Sequence, residues 1–147
     1  MSDSRRTFLA PGEHAEFSKT ITADDIDMFS KISGDCDPVH VDAAYAAKTV
    51  FGRRIAHGAL VMGLSSTTAS IMSHRSVERG AAGTPVSAGY DRIRFVRPVF
   101  IDDTLTARYV VEDVDDVAGR TRSHVEIVNQ DGVVCLVGTH ILVWVTA

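Results

Sequence analysis

A carboxylate and an imidazole five residues apart are the first groups in this chain that could do chemistry together. They stand in Ile32-Ser33-Gly34-Asp35-Cys36-Asp37-Pro38-Val39-His40. Gly34 and Pro38 bracket the two aspartates. Pro38 fixes its own φ and pushes Asp37 toward extended backbone, so a short rigid turn is expected here in place of a helix. In a regular helix residues five apart point to different sides, whereas a turn can bring Asp35 and His40 to one point. That makes them a candidate acid/base pair. Seventeen residues beyond His40, His57-Gly58 opens a long run of small residues that reads as a helix to about Ser73. The first turn of a helix offers unpaired N–H groups backed by the positive end of the macrodipole. Gly58 has no Cβ, so an oxygen atom can come close to its N–H. A proton-transfer pair facing an oxyanion site is the chemistry these residue types suggest.

The elements that must position these groups can be read around them. His14 to Ile21 has the pattern of a first strand, with Phe17 and Ala15 turned inward. Thr22 is a good N-cap, so a helix is predicted from Ala23 to about Ile32, with Ile26, Phe29 and Ile32 on its inner face and Gly34 as its stop. Asp42 should cap a short helix through Lys48, and Phe51-Gly52-Arg53-Arg54 a connecting loop. The small residues on all sides of the long helix predict burial as a central element. The stretch from Arg75 to Gly83 reads as an exposed loop. From Val86 the pattern turns to strands. Tyr90 to Val96 alternates, Ile93 and Phe95 on one side and Arg92 and Arg94 on the other. Leu105 to Val114, Thr121 to Val128 and Val134 to Val145 follow, joined by turns at Asp115 to Gly119 and Asn129 to Gly132. One early strand, a helical middle and four late strands indicate an α+β domain with an antiparallel sheet.

Bulk properties exclude several classes. The chain has 147 residues, 45% of them hydrophobic and 23% charged, which fits one globular domain over residues 1–147 with a loose leader at about 1–11. A net charge of -4 and a pI near 5.8 argue against a nucleic-acid surface. The first residues lack an apolar stretch of signal-peptide type, and no run is dry enough to span a bilayer. Cys36 and Cys135 are the two cysteines. A disulfide framework is therefore not expected, and a reducing cytoplasm is the expected location.

At Phe29-Ser30-Lys31-Ile32-Ser33-Gly34-Asp35-Cys36-Asp37-Pro38-Val39-His40-Val41-Asp42, followed by Ile55-Ala56-His57-Gly58, the chain resembles the MaoC-like, (R)-specific enoyl-CoA hydratases of the hot-dog fold. Arg94-Phe95-Val96-Arg97-Pro98-Val99 and Asp103-Thr104-Leu105 resemble that family's later strand and turn. The resemblance implies a single hot-dog domain, its sheet wrapped around a long central helix, that adds water across a trans-2-enoyl thioester or removes it from a 3-hydroxyacyl thioester. It implies that Asp35 and His40 activate the water and move its proton while the Gly58 N–H binds the thioester oxygen. A coenzyme A or acyl-carrier thioester would be the substrate, no further cofactor would be needed, and a homodimer is expected. Asp37 stands where the family usually has Asn, and Gly63 where some members have Ser. Both departures bear on the substrate more than on the reaction.

Other readings stand beside this one. A Gly-Asp-x-Asp-Pro turn can do no more than end a helix. His57, grouped with Gly58 and Asp37 on the oxyanion and substrate side, reads more readily as a structural histidine that fixes the loop. Arg92, Arg94 and Arg97 are candidates for the coenzyme A phosphates, Arg94 and Arg97 foremost, or else a solvated strand face. The acidic and histidine residues fit no familiar metal-ligand spacing, so no metal is expected. A hot-dog thioesterase is the alternative activity, although that class usually carries a carboxylate on the long helix and Ala59 to Ser70 has none. The third reading is an acyl-thioester binding domain without catalysis.

Overall fold

A computed structural model describes residues 7–147. In chain order the elements are β1 (His14–Thr20), α1 (Ala23–Ser33), α2 (Pro38–Val41), α3 (Ala43–Ala46), α4 (Gly58–Glu78), β2 (Thr84–Phe95), β3 (Thr104–Asp115), β4 (Arg120–Val128) and β5 (Val134–Val145). The strands form one antiparallel sheet in the order β1-β3-β4-β5-β2, against which α4 packs. Alternation along β3 and β4 buries every second residue, including Leu105, Ala107, Tyr109, Val125 and Ile127. These meet Val61, Leu64, Ala69 and Met72 of α4 in one core. Burying such side chains is worth roughly 1.5–3 kcal/mol each, and this is what holds the helix in the sheet.

The predicted start of α1 is observed. The Thr22 hydroxyl accepts from the Asp25 N–H and the Asp25 carboxylate accepts from the Thr22 N–H, a complete capping box. Gly34 ends the helix with φ 82°, and its N–H bonds to the Ser30 carbonyl. The inner face differs from expectation in one position. Ile32 is 78% exposed, while Ser30 is buried, one turn after the buried Ile26. The 3.6-residue period allows either stripe, and docking selects the one that points Ser30 at α4.

Five further expectations are corrected. Val41 ends a helical turn that begins at Pro38, so His40 sits on a helix and not in an open turn. The helix capped by Asp42 covers only residues 43–46. Helix α4 runs past His74 to Glu78, and the loop begins at Arg79. One of its flanks is exposed, at Ala59, Gly63, Ser66 and Ser70, so it is not buried all round. Of the polar residues read as a loop, Arg75 and Glu78 belong instead to its last turns, where His74 pairs with Glu78 at 3.2 Å. In β2 two register shifts, at Ser87/Gly89 and Asp91/Arg94, break the simple alternation, and Arg92 has φ 55°. Ile93 packs against the core whereas Phe95 is 58% exposed.

The expected loose leader lies partly outside the described residues. Within them it is docked. Thr7 and Leu9 are buried, and the Thr7 N–H and hydroxyl both donate to the Asp116 carboxylate, at 2.9 and 2.8 Å. Ser76 of α4 donates to the Thr7 carbonyl and accepts from the Trp144 indole N–H at 2.9 Å, which ties this segment to both helix and sheet.

Candidate active site

The ends of α1 and α4 and the turn of α2 converge on one place. Gly34 delivers Asp35 to an exposed loop in which the Asp35 carboxylate accepts from the Asp37 N–H at 3.2 Å. Asp37 is extended and its own carboxylate caps α2 by accepting from the Val39 N–H at 3.2 Å. Asp37 thus serves the local backbone, and it does not line the adjoining cavity. The α2 turn carries His40, whose Nδ1 lies 2.8 Å from the carbonyl of Ile55. A carbonyl only accepts, so Nδ1 carries the proton and Nε2 holds the free lone pair. Arg54 clamps this turn, donating to the His40 carbonyl and to the Asp27 carboxylate of α1. A carboxylate oxygen of Asp35 and one ring nitrogen each of His40 and His57 lie within 4.8 Å of one another. Those three would be the donors for a metal; His40 Nδ1 and His57 Nε2 face carbonyl oxygens, which leaves the other nitrogen of each ring as the possible ligand atom.

His40 and Gly58 line a cavity of about 330 Å³ whose walls are mainly apolar: Phe51, Ile55, Val61, Phe95, Val99 and Cys135 among them. Gly58 is the first residue of α4, so helix geometry leaves its N–H without an intrahelical acceptor. A Cβ on Gly58 would stand 2.7–2.8 Å from three atoms of the Phe95 ring. Only glycine allows that approach. Cys135 is buried, and burial, with the Asp103 carboxylate nearby, pushes its thiol above the usual range. Both causes favour the neutral thiol in this wall of the cavity.

Of the sequence candidates, the fold therefore brings together Asp35, His40, His57 and Gly58. His57 is buried and does not line the cavity. Arg97 lines it and, with Pro98, also lines an adjoining groove of about 260 Å³ to which Arg53 contributes. Arg94 does not line it and donates to the carbonyl of Ile93, and Arg92 lies on a separate groove with Glu112 and Arg122. Three participants were not singled out from sequence: Ser30, Arg53 and Cys135 as a wall residue. The side-by-side Arg53-Arg54 was the one available signal, since one arginine clamps the α2 turn and the other stacks over Phe100 at 3.9 Å.

A five-stranded antiparallel sheet around a long helix, with a polar loop at the helix N-terminus, is the hot-dog architecture. Solved structures agree over nearly the whole chain. The (R)-hydratase from A. caviae involved in PHA biosynthesis superposes with a TM-score of 0.80 at 28% identity, covering 94% of this chain and 98% of that one. The R-hydratase of Pseudomonas aeruginosa gives 0.78 at 30% identity, covering 97% and 86%. The family model "MaoC like domain" matches residues 7–132, and the chain belongs to that family. An (R)-specific enoyl-CoA hydratase of Rhodospirillum rubrum is 39% identical over 103 residues, 70% of this chain and 66% of that protein. One of the same name from Aeromonas caviae is 33% identical, covering 70% and 71%.

Proposed function

We propose that the protein is an (R)-specific enoyl-thioester hydratase, and in reverse a 3-hydroxyacyl-thioester dehydratase. The observation that carries this reading is the meeting of Asp35 with His40, which together with Gly58 at the N-terminus of α4 lines an apolar cavity that Asp35 itself does not line. Water held between the Asp35 carboxylate and His40 Nε2 loses a proton to one of them as its oxygen attacks Cβ of the enoyl group. The proton that Cα requires returns from the same pair on the same face, which makes the addition syn. Negative charge builds on the thioester oxygen as Cβ is attacked, and the Gly58 N–H at the positive end of α4 stabilises it. Base, acid and oxyanion donor all come from the chain, so the proposal includes no cofactor. The apolar wall suits an acyl chain, and Arg97 with Arg53 would face the phosphate of coenzyme A or of an acyl carrier.

Family resemblance supports a homodimer, and so does the free edge of β2, which pairs with β5 on one side only and exposes Val86 and Phe95. Sedimentation should give about twice the 15.9 kDa chain mass, and a monomer at micromolar concentration would refute the pairing. A reducing cytoplasm fits two free cysteines, one of them exposed.

The deciding experiment adds purified protein to crotonyl-CoA and to longer and carboxylated enoyl thioesters, following enoyl absorbance and free thiol together. Loss of absorbance without thiol is expected. Asp35→Asn and His40→Ala should each lower kcat by about 10²–10⁴-fold. Thiol release would move the protein to the thioesterases, and variants as active as wild type would remove the pair from the chemistry.

A further inference from the structure

His57 is the residue at this site whose presence the proposed chemistry leaves unexplained. It is 2% exposed, whereas Asp35 is exposed and His40 lines the cavity, so of the three it is the one closed off from a bound substrate. Its Nε2 lies 2.9 Å from the main-chain carbonyl of Asp35 and 3.2 Å from the Ser30 hydroxyl. Its ring stacks on that of His40, centroids 3.9 Å apart and planes at 28°, and packs 4.7 Å from the ring of Phe29. The carbonyl only accepts, so Nε2 carries the proton and Nδ1 is a bare lone pair. That Nδ1 is buried and has no hydrogen-bond partner among the described residues. Leaving a buried acceptor unpaired is unfavourable, and an apolar ring of the same size would avoid it. A histidine here needs a reason other than filling space.

The contacts supply one. His57 touches the peptide of Asp35, the ring of His40 and, through Ser30, helix α1, while its own backbone is the N-cap of α4 next to Gly58. Apart from it, the bonds found on the exposed loop from Asp35 to Asp37 among the described residues are local ones, from the Asp35 N–H to the Ser33 hydroxyl and within the turn. We propose that His57, seated by Ser30, is a positioning residue that fixes Asp35 against His40 at the N-terminus of α4. The proposal rests on the hydratase reading above.

The test separates a donor from a filler. His57→Phe keeps the ring stack and removes the N–H, whereas His57→Gln keeps an amide N–H near the place of Nε2. With the enoyl thioester that wild type hydrates best, Phe should lower kcat about a hundredfold while KM stays within about threefold, because misplacing a reacting group costs turnover more than binding. Gln should recover about tenfold of that loss, and Ser30→Ala should fall between Gln and wild type. The ¹⁵N spectrum of the wild type should show His57 as the Nε2–H tautomer, and the ¹³C resonance of the Asp35 carbonyl should move in the Phe variant more than in the Gln variant. Equal kcat losses in Phe and Gln, or the Nδ1–H tautomer, would overturn the proposal alone. A wild type inactive on every enoyl thioester would instead overturn the hydratase reading itself.

Discussion

Gly58 shows how a single missing carbon couples a helix end to the cavity beside it. The ring atoms that crowd its absent Cβ belong to the far end of Phe95, a side chain 58% exposed and therefore able to swing. Gly58→Ala should then cost little stability, about 1 kcal/mol or less by urea denaturation, because the ring moves and Ala is a better helix former than Gly. Activity should respond differently. The displaced ring turns across the cavity that both residues line, and kcat/KM should fall about 10–100-fold. Trimming the ring in a Gly58→Ala, Phe95→Ala double variant should restore part of that loss. A double variant worse than the product of the singles would mean that Phe95 supports the substrate and not only the glycine.

Among the elements, α1 illustrates both what local sequence dictates and what it leaves open. It is closed at one end by the Thr22 capping box and at the other by Gly34 in the left-handed region, with nothing within 4 Å of where a Cβ would stand. Gly34→Ala therefore tests backbone conformation with no steric clash, and should destabilise by about 1–2 kcal/mol in urea titration. It should also lower kcat, since Gly34 sets the path of the chain into Asp35; an unchanged kcat would show that the loop finds its place from the His40 side alone. Such ends were legible because each cap or stop is written within a few adjacent residues, as Thr22 with Asp25, and the turns at residues 115–119 and 129–132 for the same reason. Asp35, His40 and Gly58 were legible as a motif. Ser30, Arg53 and Cys135 were not, because what makes them part of the site lies 20 to 80 residues away in the chain. The misjudged exposure of Ile32, the extra turn of α4 and the bulges of β2 have the same cause: each is decided by what docks against the element, and periodicity alone cannot name the partner.

For the molecule as a whole, the polar groups inside the sheet set how stability follows pH. His140 on β5 is buried, with Nε2 2.7 Å from the Ser87 hydroxyl on β2 and Nδ1 2.8 Å from the Tyr109 hydroxyl on β3. The ring of Tyr90 packs 4.7 Å away. The partners are neutral hydroxyls. Burial pushes Tyr109 up to about 12, so it stays a phenol, and burial pushes His140 down to about 4. A folded-state value below the ordinary 6.5 means that the unfolded chain takes up a proton which the folded one refuses. The stability contributed by the neutral ring is therefore complete above pH 6.5 and is lost as pH falls toward 4, at up to ~1.4 kcal/mol per pH unit and ~3 kcal/mol in all. Below pH 4 the contribution no longer changes. Carboxylates titrate in the lower part of this window, so the wild-type curve alone would not isolate the effect. A His140→Gln variant keeps hydrogen-bonding capacity and removes the titration. It should be less stable than wild type at pH 7, and the gap should close by ~3 kcal/mol as pH falls to 4, read by urea denaturation at steps between. Parallel curves for the two proteins would mean that His140 accepts its proton in place, with Ser87 and Tyr109 both turning to receive it.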